Sequence, residues 1–182
     1  MARDQLLDKV VTYAAEQGIA GKSLREIASG VGTSHRMLIY HFGSHEGLMT
    51  AIVGAVEAQQ RAVLAELARD ARSPRELMAA LWAEVSSPEV RPFVRLFFEV
   101  FGLAVQGAPG TQAMLENLTE PWLTAGVAAA ARIGAPTDAA AIRLGVAVTR
   151  GLLLELLAGA DPAEIEASHR LFIQFFERYQ AG

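Results

Sequence analysis

Residues 23–48 read SLREIASGVGTSHRMLIYHFGSHEGL. The opening Ser-Leu-Arg-Glu is a capping box: the Ser23 hydroxyl can accept from the amide of Glu26 while the Glu26 carboxylate reaches back, and Leu24, Ile27 and Ala28 follow as an inward stripe. A helix begun there cannot run intact past Gly30 and Gly32. Another short helix, Ser34 to about His41, ends where Phe42 and Gly43 turn the chain, and Ser44 with Glu46 starts the next. Helix, a tight turn at Gly32 and Thr33, helix: this is the spacing of a helix-turn-helix, whose second helix lies in the major groove of DNA.

On that second helix Leu38 and Phe42 lie four apart and face inward with Ile27 and Val31. Ser34, His35, Arg36, Tyr40 and His41 are left on or near the outer surface, and their hydroxyl, imidazole, guanidinium and phenol groups suit phosphate oxygens and base edges. Arg36 is the candidate for reading a base, because its planar fork can bond a guanine at two points. Ser23 and Arg25 join the candidate DNA contacts from the preceding helix, and Ser44 and His45 open a helix whose free amides could hold a phosphate. Taken singly, each residue fits a solvated helix face; the helix-turn-helix spacing gives them a common purpose. His41 and His45 stand four apart, as zinc ligands on a helix would, yet Gly43 and Ser44 break the helix between them and no cysteine or carboxylate pair completes a site. No glycine-flanked nucleophile accompanies the serines, so neither a metal, a cofactor nor a catalytic residue is expected.

Outward from this stretch the chain reads as helix throughout. Leu6, Leu7, Val10 and Ala14 repeat at helical spacing before Gly18, giving a first helix over residues 3–17. From His45 to Asp70 one apolar pattern continues without proline, a rod of roughly 40 Å with no flexible linker. Ser73-Pro74-Arg75-Glu76 and Asp161-Pro162-Ala163-Glu164 each place a capping side chain, a proline in the first turn and a glutamate just beyond. Ser87-Pro88, Thr111 and Thr137 offer further starts, and Gly107–Gly110 and Gly134–Pro136 supply breaks. The expectation is an all-α fold of about nine helices, with a three-helix head over residues 1–47 and a helical body over 48–182.

The stretch from Ser23 to Leu48 resembles the DNA-binding head of TetR-family transcriptional regulators, and the helix layout resembles the family fold. The family often writes leucine-tyrosine-any-histidine-phenylalanine across the end of the recognition helix, where this chain has Leu38-Ile39-Tyr40-His41-Phe42. Ile39 cannot make the phosphate bond of the family's tyrosine, which leaves the adjacent Tyr40 to make it. His35 and His45 stand where lysines are common, and Arg36 replaces what is often a small residue. The resemblance implies a homodimeric, ligand-responsive regulator acting on a double-stranded DNA operator, most often as a repressor.

Charge neither supports nor opposes this by itself. The formal net charge is −4, and residues 1–48 hold five basic and five acidic side chains, so attraction to a polyanion has to come from local placement. There is no cysteine, and the most apolar run, Gly151–Ala160, is too short to span a membrane and contains Glu155. The chain therefore reads as soluble and cytoplasmic.

The body has to bury more than one protomer can cover. Residues 139–160, AAAIRLGVAVTRGLLLELLAGA, are apolar nearly all round, and the last helix adds Ile165, Phe172, Phe175, Phe176 and Tyr179. Two copies packing these last two helices would cover both faces and present two recognition helices about 34–36 Å apart, one turn of DNA. Phe97, Phe98 and Phe101 fall on adjoining turns, with Met78, Trp82, Met114 and Trp122 in neighbouring helices; such residues either fill a dry core or line an apolar cavity, with Arg150 as a candidate polar contact. The family resemblance implies the cavity, and with it a small-molecule effector. Two other classes stay open at this point: an all-helical enzyme acting on a small molecule, and an interaction scaffold without DNA binding.

Overall fold

The computed structural model describes residues 2–19 and 21–181, with side-chain surroundings as far as Tyr179. Its order is α1 (Arg3–Gln17), α2 (Leu24–Gly30), α3 (His35–Phe42), α4 (His45–Asp70), α5 (Pro74–Val85), α6 (Arg91–Val105), α7 (Gln112–Glu116), α8 (Glu120–Arg132), α9 (Ala139–Ala158) and α10 (Pro162–Ala181). Nine helices of seven residues or more and the single turn α7 are the regular elements among the described residues, so the all-α expectation holds.

Local chemistry sets the boundaries. The Ser23 hydroxyl accepts from the amide of Glu26, whose carboxylate accepts from the amide of Ser23; the Ser73 hydroxyl accepts from the amide of Glu76, whose carboxylate accepts from the amide of Arg72. Asp161 accepts from the amide of Ala163 behind Pro162. Two expected starts are displaced. Asp138, not Thr137, caps α9, because its carboxylate reaches the amide of Ala141 at 2.7 Å. Ser87 and Pro88 sit in a turn, where the Ser87 carbonyl accepts from Val90 and Arg91, and α6 begins only at Arg91.

Packing divides the chain into two compact units, Met1–Ala58 with Pro92–Asn117, and Gln59–Arg91 with Leu118–Gly182. In the first, α1 buries Leu6, Val10 and Ala14, successive residues of one stripe; full burial of each large side chain is worth roughly 1.5–3 kcal/mol. Ile27, Leu38, Leu48, Ile52 and Val100 are fully buried in the same unit. In the second, Leu64, Ala68, Leu77 and Ala129 form one cluster and Trp82, Val85, Leu152 and Ile165 another. Gly126 lets α8 and α9 approach: a Cβ there would lie 2.5 Å from Ile142. Helix α4 runs unbroken and contributes residues to both units.

Candidate nucleic-acid interface

The turn between α2 and α3 is built by backbone chemistry. Helix α2 ends at Gly30, where a Cβ would stand 2.4 Å from the Tyr13 ring, so a larger residue there would displace that ring. Gly32 takes φ +69°, the left-handed region that glycine enters without a steric penalty, and the Thr33 amide donates to the Ala28 carbonyl at 2.8 Å. Ser34 then caps α3, its hydroxyl accepting from the Met37 amide at 3.2 Å. Leu38 and Phe42 point inward as expected, and Gly43, at φ +78°, ends the helix.

With that stripe buried, the opposite face of α3 is open. Ser34, His35 and Arg36 are exposed, and Tyr40 is 78% exposed, unusual for a tyrosine that serves only packing. Arg36 makes no ion pair or hydrogen bond among the described residues. Arg25 on α2 is exposed as well. The exposed set thus holds hydroxyl, imidazole and phenol groups and two guanidiniums.

Other candidates are engaged inside the protein. The Ser23 hydroxyl and amide are both committed to Glu26, whose carboxyl is held below its ordinary value by the Ser23 hydroxyl, then the Ser23 amide, and by the Lys22 charge. The Lys22 ammonium donates to the Tyr13 hydroxyl at 3.0 Å and lies 4.9 Å from the centre of that ring. His41 is half-buried, edge-on to Tyr40 at 4.9 Å, and its Nε2 is buried with no hydrogen-bond partner. His45 is half-buried, with Nε2 3.1 Å from the Lys22 carbonyl.

The residues singled out in the body divide between the two units. Phe97, Phe98, Phe101 and Met114 belong to the first, where Phe97 meets Phe98 edge-on at 5.2 Å and stacks parallel to Phe101 at 6.3 Å. Met78, Trp82, Trp122 and Arg150 belong to the second. Trp122 lies under the Arg61 guanidinium at 5.7 Å, and Arg150 donates to the Leu118 carbonyl at 2.6 Å. Trp82 is 5% exposed, stacks on His169 at 4.6 Å, and donates from Nε1 to Glu166 at 2.8 Å. His169 and Glu166 were not among the sequence candidates; their spacing on α10 gives no sign of a tryptophan 84 residues away from Glu166. Burial holds the His169 imidazole below the ordinary histidine range, with the Glu166 charge opposing in part.

Residues 6–52 match the profile of the bacterial regulatory proteins of the tetR family. The chain is 30% identical over 84 residues to the HTH-type transcriptional repressor NicS of Pseudomonas putida, a match covering 44% of this chain and 40% of NicS. Over its full fold it is similar to a transcriptional regulator from Rhodococcus sp. Rha1, with a TM-score of 0.72 at 19% identity, covering 98% of this chain and 97% of the other. The multidrug binding protein EbrR, complexed with ethidium, gives a TM-score of 0.69 at 24% identity, covering 96% and 97%. The resemblance drawn from Ser23–Leu48 therefore holds, and the proteins it points to are transcriptional regulators rather than enzymes.

Proposed function

Given a TetR-family head on a fold shared with transcriptional regulators, we propose that the chain is a homodimeric repressor released from a palindromic operator by a small apolar molecule. The observation that carries this reading is the split face of α3: Leu38 and Phe42 hold the helix in the head, while His35, Arg36 and Tyr40 stand outward on a helix-turn-helix of the required spacing. Arg36 reads a base edge; Ser34, His35, Tyr40 and Arg25 position the duplex through its backbone, with Ser23 and His41 beside them. In functional terms residues 1–47 bind DNA, and residues 48–182 bind effector and partner.

Dimerisation through α9 and α10 is supported by large apolar side chains that one protomer leaves in water: Leu144 and Leu154 on α9, and Leu171, Phe175 and Tyr179 on α10. The effector reading is supported by the aromatic and methionine side chains of α5 to α8, Phe97, Phe98, Phe101 and Met114 in one unit and Met78, Trp82 and Trp122, with Arg150 as a polar contact, in the other, and by the ethidium complex of EbrR. An effector that prefers one position of α4 shifts both recognition helices, because α4 is continuous with the head. A coupling of about 1–3 kcal/mol suffices for a useful switch. The protein acts in the cytoplasm; among the described residues no helix is long and apolar enough to cross a membrane.

The test is anisotropy of a labelled duplex from the region flanking the protein's own gene, at low salt, with wild type and the R36A/Y40A double variant. Saturable binding by wild type that is lost in the variant supports the proposal. Equal binding by both proteins rejects the assignment of α3, and no binding by either favours a scaffold.

A further inference from the structure

The first turn of α4 is a meeting point of segments far apart in the chain. A carbonyl oxygen only accepts, so the His45 Nε2 that faces the Lys22 carbonyl at 3.1 Å carries the proton and donates across 23 positions. The Lys22 amide donates to the Ile19 carbonyl at 3.1 Å, and its ammonium is held on Tyr13. The next residues are the Ser23 capping box and the exposed Arg25. On another side of the same turn the Ser44 hydroxyl accepts from the Gly47 amide at 3.0 Å. The Gly110 backbone comes so near that a Cβ there would stand 2.9 Å from the Ser44 Oγ and 3.1 Å from the Gly47 nitrogen.

We propose that His45 is a positioning residue for DNA recognition: a latch that fixes the connection between α1 and α2, and so the entry of Arg25, rather than a group that touches phosphate. The inference rests on the DNA-binding function proposed above. Its physical basis is that the donor of the ring is already used on a half-buried carbonyl, which would otherwise lose its partner. The latch does not depend on protonation state, because Nε2–H is present in the neutral and the charged ring alike. Nδ1 lies 4.0 Å from the Glu46 carboxylate, with Ser44 beside it, and on the facing segment the Lys22 ammonium is held on Tyr13. The turn that carries the latch is in turn seated against Gly110, so it has little room to drift.

The full chain is compared as wild type, H45A and H45Q, using a fluorescein-labelled duplex recovered by wild type from a randomised library, together with amide hydrogen exchange. Loss of the bond in H45A is expected to speed exchange over residues 19–26 and to weaken DNA binding about tenfold. Gln, whose side-chain amide can donate to the same carbonyl, is expected to restore both to within about threefold. Wild type and H45Q keep parallel affinity profiles between about pH 8 and pH 5.5, because the latch works through Nε2–H on a backbone carbonyl and not through phosphate. A wild-type advantage over H45Q that grows as pH falls, unchanged exchange in H45A, or an H45Q as defective as H45A overturns the latch. If wild type retains no duplex at all, the DNA-binding proposal fails by itself, and the exchange measurement still decides whether His45 holds the loop.

Discussion

Replacement of Arg36 by alanine separates recognition from folding. The side chain is exposed and has no ion pair or hydrogen bond among the described residues, and alanine is at least as good a helix former, so fold stability should change by no more than about 0.5 kcal/mol. A guanidinium bonded at two points to a base is worth about 1–3 kcal/mol of discrimination. A two-fold assembly presents the residue twice, so the loss on a complete palindrome should be about 2–6 kcal/mol if the half-sites act independently, and half of that on a single half-site. The assay is anisotropy titration of full and half operators at several salt concentrations, with thermal melting as the control. Base reading predicts relaxed preference at one base pair per half-site with the salt slope nearly kept. A phosphate contact instead weakens all sequences alike and lowers the slope by about 0.9 per contact. Undiminished affinity and unchanged sequence preference, in a variant that melts like wild type, would refute the assignment.

His169 is a base whose buried state is disfavoured when charged, so the unfolded chain binds its proton more readily; its contribution is complete above about pH 6.5 and is lost as pH falls from there toward the depressed folded value. The melting temperature of wild type should therefore drop between about pH 7.5 and pH 5.5 more steeply than that of H169F, which keeps a ring on Trp82; equal slopes would contradict this. Gly47→Ala puts a methyl group 2.1 Å from the Phe42 carbonyl and should cost about 1–3 kcal/mol in urea unfolding, whereas an unchanged midpoint would show that the turn into α4 is not closed so tightly. The L171E/F175E double variant places charge on two exposed apolar positions of α10 and should sediment as a folded monomer where wild type sediments as a dimer; an unaltered dimer would move the interface elsewhere.

Features written in local chemistry were legible from the sequence. The capping box at Ser23, the caps at Ser73 and Asp161, and the period of α1 and α4 depend on residues within one or two turns of each other, and the helices begin and end where those signals stand. The inward stripe of α3 followed from the same periodicity. Long-range partners were not legible. Nothing at the start of a helix reveals that a backbone carbonyl 23 residues earlier folds against the His45 ring. For Trp82, a candidate effector residue, nothing local marks the His169 ring stacked on it or the Glu166 carboxylate that takes its indole N–H, both on α10. Arg150 likewise found the carbonyl of Leu118, an acceptor that every residue type carries and no motif marks. The cap at Asp138 in place of Thr137 is a subtler case, in which two adjacent side chains could each serve and the carboxylate, also accepting from Tyr179, took the position.

The most direct measurement is selection from a randomised duplex library by the purified full chain, followed by sequencing of the retained fragments. A paired outward face on α3 in a two-fold assembly predicts an enriched inverted repeat whose half-site centres lie about one helical turn apart. Retained fragments no different from the starting library, at low salt and with the protein folded, would contradict the claim that this chain reads DNA.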